Sequence, residues 1–330
     1  MRSFVSISEL KAWVLSSEPD DMNRSLRALL EKNADIMELL QVLEETNLCG
    51  QEYFVVNDAI IVTYRMRLNL LTFMKRSLRA DARIIGLPIS MSRSGIFASD
   101  EASGRKAALE VIKREKGLTV ALNTDYRLRG NSLTLSNFVF INRFRDFDEY
   151  LMAMRSSYRR NVLGVIEEGN GLVFRRIESS DFSTLHHMLY RSVVERSEYP
   201  LETLPIEFFR SYDSEIVEVR RTDGSLIAVL VLRGYGDTLT FMFCGFRREE
   251  GASLYHNLLI YVIRKGIEDG YKRIDMGQTS EAAKLRLGCT EEIKHLLVYH
   301  GNPVVNSVIR RASGRFSYRR YKVLHRVFRT

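Results

Sequence analysis

Leu, Ile and Met recur at steps of three and four over the first 48 residues. That spacing predicts helices over Ser6–Leu15 and Asn23–Leu48, interrupted near Pro19 and stopped at Gly50. The pattern then shortens to apolar runs of strand length at Tyr53–Val56, Ala59–Tyr64, Leu68–Met74 and Arg83–Ile89. A helix over Ser103–Lys116 leads through Gly117 into a strand at Leu118–Leu122. A further strand, Ser136–Asn142, precedes a long polar helix from Asp146 to about Glu168. The second half repeats this grammar. It predicts a strand at Leu172–Ile177, helices at Asp181–Ser197 and Pro205–Tyr212, and strands at Glu215–Arg220, Leu226–Leu232 and Thr238–Cys244. Asp223-Gly224 between two of these strands is a tight-turn pair.

The stretch from Leu254 to Cys289 has the most specific pattern. Leu254, Leu258, Val262, Ile263 and Ile267 line one helical face, Glu268-Asp269-Gly270 ends the helix, and Tyr271–Met276 has the length of a buried strand. A turn through Gly277 and a lone Lys284 before a Leu-Gly step follow. An echo of this unit lies upstream: VIKREKGLTVALN (Val111–Asn123) and VIRKGIEDGYKRIDMG (Val262–Gly277) are each a basic helix end, a glycine and a strand. Helix–Gly–strand units are common in α/β proteins, so the echo alone is weak support for a duplication.

Composition adds bounds. A 330-residue chain with 45% apolar and 27% charged residues can bury one large core or two smaller ones. The longest apolar runs, such as Leu226–Leu232, are too short to span a bilayer, and the N-terminus lacks the apolar core of a signal peptide. A cytoplasmic chain with no integral membrane segment is expected. Cys49, Cys244 and Cys289 are isolated and odd in number, which argues against a disulfide framework or a zinc site. The net charge of +8 is concentrated at one end. Arg310, Arg311, Arg315, Arg319, Arg320, Lys322, Arg326 and Arg329 lie in residues 303–330 with no acid among them, and the rest of the chain holds 41 basic and 41 acidic residues. Interleaved with Phe316, Tyr318, Tyr321 and Phe328, this tail suits phosphates and stacked bases. Arg315, Arg319, Arg320 and Lys322 are its candidate polyanion contacts, tRNA foremost. A solvated basic face, or aromatic packing on the body, accounts for it equally well.

The helix, strand, "Gly, then Lys, then Gly" order of the Leu254–Cys289 segment resembles the C-terminal part of the Fem-type aminoacyltransferases, within the GNAT-like N-acyltransferase superfamily. LMAMRSSYRRNVL (Leu151–Leu163) is similar to the helix in which that family carries basic residues, and LPIEFFRSY (Leu204–Tyr212) to its short helix before a hairpin. The resemblance covers roughly residues 80–300. It implies an α/β fold of tandem GNAT-like domains with mixed, twisted sheets and a helical N-terminal region. The expected division is a helical region at 1–50, GNAT-like domains at 51–150 and 151–302, the second carrying the donor site, and a basic aromatic tail at 303–330. The implied activity moves an activated acyl or aminoacyl group onto an amine. The acceptor is a cell-wall precursor or a small amine, and the co-substrate is aminoacyl-tRNA or acyl-coenzyme A. The rival of another class is a non-catalytic RNA-binding protein on the same scaffold.

Lys284 is the candidate catalytic residue, because an ammonium stabilises an oxyanion or a departing oxygen and the resembling family uses a lysine at this point of its pattern; most lysines, by contrast, are solvated surface cations. Tyr255, Gln278 and Thr279 flank it as candidate substrate contacts. Arg155, Arg159 and Arg160 cluster on the long helix, where Arg155 and Arg159 at i and i+4 would grip one phosphate; pairing with Asp148 or Glu149 is the bland alternative. Phe241–Gly245 would lie beside the donor carbonyl, where a bulge would aim an amide at the oxyanion. FRREEGASLY (Phe246–Tyr255) has one glycine and two glutamates where coenzyme A-dependent relatives hold a pyrophosphate, a departure that disfavours coenzyme A, while Arg247, Arg248 and the following helix N-terminus keep it open. There is no GxxxxGK loop and no GxSxG elbow, so neither self-contained ATP activation nor serine-hydrolase chemistry is expected; His186 and His187 read as helix residues, one inward and one outward.

Overall fold

The computed structural model describes residues 1–330 except Pro19, Leu48, Leu70, residues 72–77, Asn131, residues 199–201, Phe316 and Thr330. The chain forms two compact units, Met1–Leu135 with Ile293–Arg319, and Ser136–Glu292 with Arg320–Thr330.

The first unit opens on a short strand β1 (Arg2–Phe4) that the sequence pattern did not predict. Helices α1 (Ile7–Ser16), α2 (Asp21–Lys32) and α3 (Ala34–Thr46) follow. Ser6 and Asp20 cap the first two by accepting the amides of Glu9 and Asn23, which would otherwise be orphaned. The helix expected over Asn23–Leu48 is divided at Asn33, whose φ of −115° and ψ of 31° leave the helical region. Strands β2 (Glu52–Val56), β3 (Ala59–Asn69), β4 (Arg79–Ile85) and β5 (Ile96–Phe97), helix α4 (Glu101–Arg114) and strand β6 (Leu118–Thr124) complete this half. The strand expected from Leu68 starts as a continuation of β3, and most of it lies outside the described residues. Strands β1, β2, β3 and β4 pair antiparallel in turn, whereas β4 and β6 are parallel, joined through α4.

Arg83 on β4 is only 7% exposed and holds two carboxylates, Glu52 at 2.7 Å and Glu115 at 2.8 Å. Removing a cation from such a cluster leaves two part-buried negative charges facing each other. Arg83→Ala is expected to cost about 2 kcal/mol in a denaturant titration. An unchanged midpoint would mean that water serves the carboxylates equally well.

The second unit contains strand β7 (Asn137–Ile141), helices α5 (Phe147–Ala153) and α6 (Ser156–Glu168), strand β8 (Val173–Ile177), and helices α7 (Thr184–Glu195) and α8 (Ile206–Ser211). It continues through β9 (Glu215–Arg220), β10 (Leu226–Tyr235), β11 (Thr238–Phe246), α9 (Gly251–Glu268), β12 (Arg273–Asp275), α10 (Glu281–Arg286) and β13 (Thr290–Glu292). The long helix expected from Asp146 is two helices. Met154 leaves the helical path to bridge Phe328, and the Arg155 amide donates to Val327 O at 2.8 Å, so the C-terminal strap breaks the helix. The inward histidine is His186: its Nδ1 accepts the Ser183 amide at 2.9 Å, which leaves Nε2–H to donate to buried Glu218 at 2.9 Å. His187 reaches the Leu204 carbonyl instead. Both serve to fasten α7.

The chain returns to the first unit with β14 (His295–His300) and α11 (Pro303–Ala312). The first sheet runs β1-β2-β3-β4-β6-β14, with β5 also on β3, and the second runs β13-β7-β12-β11-β10-β9-β8. Each sheet therefore includes a strand from the other half of the chain: β14 lies antiparallel to β6, and β7 antiparallel to β12. Strand pairing moves the divisions to 135/136, 292/293 and 319/320, away from the 150/151 and 302/303 positions read from the sequence. The tail expected at 303–330 is shared between the units. The echoed helix–Gly–strand segments are α4–β6 and α9–β12, which occupy corresponding places beside the parallel pair of each sheet. Leu258, Leu259, Val262, Ile263 and Ile267 of α9 are fully buried, each contributing roughly 1.5–3 kcal/mol of transfer free energy. No helix among the described residues is long and apolar enough to cross a membrane.

Candidate active site

Strands β11 and β12 pair in parallel only over Thr238–Thr240 and Arg273–Asp275. Beyond that point β12 ends while β11 runs on to Phe246, so the sheet parts at the C-terminal ends of its two parallel strands. Such a parting is where α/β sheets present ligands. Along the free stretch of β11 the register with β10 jumps: Val231 faces Phe243 and Leu232 faces Phe241, leaving Met242 as an unpaired extra residue. This is the bulge anticipated within Phe241–Gly245, and it turns a backbone segment out of the ladder.

The corresponding place in the first unit is closed. Its parallel pairing ends at Ile85 and Ala121, but β4 ends there too. The chain doubles back, so that Gly95 O accepts the Val62 amide, β5 takes the vacated edge of β3, and Asn123 Nδ2 ties the loop at Met91 O to the end of β6 at 2.7 Å. The second unit alone keeps its parallel strands parted.

The loop leaving β12 is held in an uncommon backbone conformation. The Gly277 amide donates to Asp275 Oδ1 at 2.9 Å, and φ is positive at Gly277 (72°), Thr279 (62°) and Ser280 (54°). Two non-glycine residues in succession in the left-handed region cost free energy, which the surrounding contacts must offset. Helix α10 starts immediately afterwards and carries Lys284 back under the loop. Lys284 Nζ donates to Gly277 O at 3.1 Å and to Gln278 O at 2.6 Å, and it lies 5.9 Å from the centre of the Phe138 ring. The side chain is 2% exposed. Since each trans peptide points its N–H opposite to its C=O, the amides of Gln278 and Thr279 face away from the ammonium. The lysine is thus both a buried charge and a strut.

Burial lowers the Lys284 pKa to about 8, with nearby Cys289, Asp275, Cys244 and Glu281 acting in the opposite direction. The thiols of Cys244 and Cys289 are pushed up to about 12 by burial, against the pull of the Lys284 charge, so at neutral pH both are un-ionised and poor nucleophiles. Tyr255, on α9, has its hydroxyl on the Ser280 side chain and its ring against Phe246 at 5.9 Å; burial raises its pKa well above the usual phenol value. Tyr255, Gln278, Thr279 and Lys284, named on the family resemblance, therefore meet around one loop. Cys244, from the Phe241–Gly245 stretch expected beside the donor, joins them, as do Phe138, Asp275, Ser280 and Cys289, which had no assigned role; of these only the i, i+4 relation of Ser280 to Lys284 was visible beforehand.

The arginine cluster is arranged differently from the expectation. Arg155 stands outside α6 as its N-cap residue, and its Nε donates to Phe328 O at 3.2 Å. Its guanidinium is used on the C-terminal strap rather than forked with Arg159, which is half-buried; Arg160 is exposed. Of the tail residues, Arg315 and Arg319 belong to the first unit and Arg320 and Lys322 to the second. Arg320 is paired with Glu291, its Nε at 2.8 Å from Oε1, which holds the Glu291 carboxyl below its ordinary value.

The N-terminus of α9 has no side-chain cap. Glu250 precedes its first residue, Gly251 (φ 74°), and its carboxylate binds Arg221 at 2.6 Å. That carboxylate is engaged by Arg221 rather than by the helix amides, and the exposed Arg247 and Arg248 precede it.

No protein-family model matches the sequence, and no curated protein matches it. Solved structures do match in shape. L-PGS from Bacillus licheniformis superposes with a TM-score of 0.55 at 14% identity, covering 92% of this chain and 99% of that one. The C-terminal domain of a putative lysylphosphatidylglycerol synthetase from Agrobacterium fabrum gives 0.55 at 12% identity, covering 88% and 96%. FemX gives 0.52 at 12% identity, covering 94% and 100%. At such identities the likeness establishes the fold: this chain has the tandem GNAT-like architecture of FemX and these synthetases, as its resemblance to the Fem-type proteins implied.

Proposed function

We propose that this chain is an acyltransferase whose donor lies in the parting of β11 and β12, with Lys284 as the catalytic cation. The observation that carries the reading is a buried lysine, held by two carbonyls of the loop that forms one wall of that parting. The acceptor amine attacks the donor carbonyl, a C–N bond forms, and the C–O bond of an ester (or the C–S bond of a thioester) breaks. The amine proton leaves with the departing group or to water. Negative charge gathers on the carbonyl oxygen on the way, and the Lys284 charge lowers the cost of that accumulation. The amides of Gln278 and Thr279, fixed by Lys284, add dipoles of the same sign. Because an activated donor needs little further activation, alignment supplies much of the remaining rate. Tyr255 orders the loop through Ser280.

Aminoacyl-tRNA is the favoured donor. The two glutamates, Glu249 and Glu250, that precede α9 disfavour a coenzyme A pyrophosphate, and the exposed Arg315, Arg319 and Lys322 offer phosphate contacts. The acceptor is an amine; the lysylphosphatidylglycerol synthetase among the similar structures adds a phospholipid headgroup as a second acceptor class.

The donor test is a binding titration with tRNA and with coenzyme A, alongside identification of what copurifies. Arg319→Glu with Lys322→Glu should reduce the slope of log affinity against log salt by about 2, one for each lost phosphate contact, and leave Tm unchanged. Arg320 is left out of that variant because reversal there would set a carboxylate against Glu291. RNA affinity indifferent to salt and to both charges, with coenzyme A retained, would replace tRNA by the thioester donor. Tight tRNA binding without transfer to any amine would favour the silent RNA-binding alternative.

A further inference from the structure

Helix α11 carries an apolar stripe on the wrong side for a core. Val304 and Val308 are 74% and 59% exposed, while Val305 (41% exposed) and the half-buried Ile309 and Ala312, at i, i+4 and i+7, mark the opposite, inward line of the helix. Packing within the described residues leaves the outward Val304 and Val308 uncovered. Val304, Val308 and Arg311 follow one another at i, i+4 and i+7 along the outer face, and Arg310 and Arg315 are exposed nearby in the chain. The helix is fastened at both ends. Asn302 caps it by accepting the amides of Val304 and Val305, the Gly301 amide donates to Gly117 O at 3.1 Å, and the Ser313 carbonyl accepts Ser132 Oγ at 3.0 Å. The outer face is therefore a preformed surface.

We infer that this face of α11 docks on an anionic lipid bilayer. An interfacial helix joins apolar side chains that enter the acyl boundary with arginines that stay at the headgroups. The outer face has that pairing, and no acidic residue occurs in residues 303–330 to oppose a negative surface. RNA would satisfy the arginines but leave Val304 and Val308 in water. A second copy of the chain, docked helix to helix, would cover the valines but press arginine against arginine with no carboxylate in the segment to answer. A bilayer bearing anionic lipid accommodates both sets of side chains. The inference does not rest on the acyl-transfer reading, and its failure would leave that reading untouched.

The test is cosedimentation of the full chain with vesicles of phosphatidylcholine alone or of phosphatidylcholine mixed with phosphatidylglycerol. The chain should sediment with the mixed vesicles and stay in solution with the neutral ones. Val304→Asp with Val308→Asp, and separately Arg310→Gln with Arg311→Gln, should each weaken that binding at least about tenfold. All four positions are exposed, so Tm should hold in both variants. Three results would overturn the inference: no binding to the mixed vesicles, binding that either double variant leaves intact, or a wild-type dimer without lipid affinity that the valine variant converts to monomer.

Discussion

Lys284→Met should lower acyl transfer at least tenfold, equivalent to about 1.4 kcal/mol of transition-state stabilisation. Methionine nearly matches the lysine stem in length and shape, so the slot at 2% exposure stays filled while the charge is lost. The carbonyls of Gly277 and Gln278 lose their partner in the same substitution, so the loop and its outward amides also loosen. The pH profile separates a charge effect from a packing effect. With the Lys284 pKa lowered to about 8, wild-type turnover should decline as pH rises through about 8, on account of lost positive charge. The residual activity of Lys284→Met should lack that limb. Loss of fold through the same group cannot imitate it. The folded-state pKa lies below the ordinary lysine value, so between about 8 and that value the unfolded chain binds more protons, and this group makes folding stability rise with pH across the window. Unchanged turnover in Lys284→Met would remove the lysine from the chemistry. A fall in Tm and rate together, with the wild-type pH limb retained, would reduce it to a strut.

Gly245→Ala is expected to destabilise the second unit by about 3 kcal/mol, a fall in Tm on the order of 10 °C. A Cβ at Gly245 would stand 2.3 Å from the Tyr190 nitrogen, 2.5 Å from the Leu189 carbonyl carbon and 2.7 Å from Tyr190 Cα. All three are backbone atoms of α7, which lies directly on β11, so no side-chain rotation relieves the clash. Either α7 rises from the sheet, opening gaps around buried Tyr190, Phe209 and Leu189, or β11 shifts beside Cys244 at the wall of the parting. The control is Gly164→Ala within α6, where no neighbouring heavy atom lies within 4 Å of the new methyl. There the gain in helix propensity should stabilise by roughly 0.5–1 kcal/mol. Equal melting of Gly245→Ala and wild type would show that the helix rides freely on the strand.

The two substitutions act on one architectural fact, the separation of β11 from β12. Lys284 holds the loop on one wall, and Gly245 lets α7 back the other. Coupling between them is measurable as a non-additive effect on transfer in the double variant, since both alter the spacing of the same gap.

Local pattern was enough to place most elements of this chain. The apolar face of α9, the Asp223-Gly224 turn and the short strand before Gly277 are decided by residues within a few positions of one another, and the sequence states those relations directly. The grouping of Tyr255, Gln278, Thr279 and Lys284 was legible through the family resemblance, whose pattern runs along a single helix–strand–helix unit with short connections. Tertiary structure decided the rest. The break at Met154 follows from Phe328 far along the chain, so helical periodicity carried the expected helix straight through it. Arg155 and Arg320 are cations of ordinary surface type in the sequence, yet one is committed to the Phe328 carbonyl and the other to Glu291. The exchange of β7 and β14 depends on which strand edges remain open once each sheet has formed, a property of no single segment. The lowered pKa of Lys284 belongs to the same class, because it arises from water excluded by β11, Phe138 and Cys289, which the chain brings together only on folding.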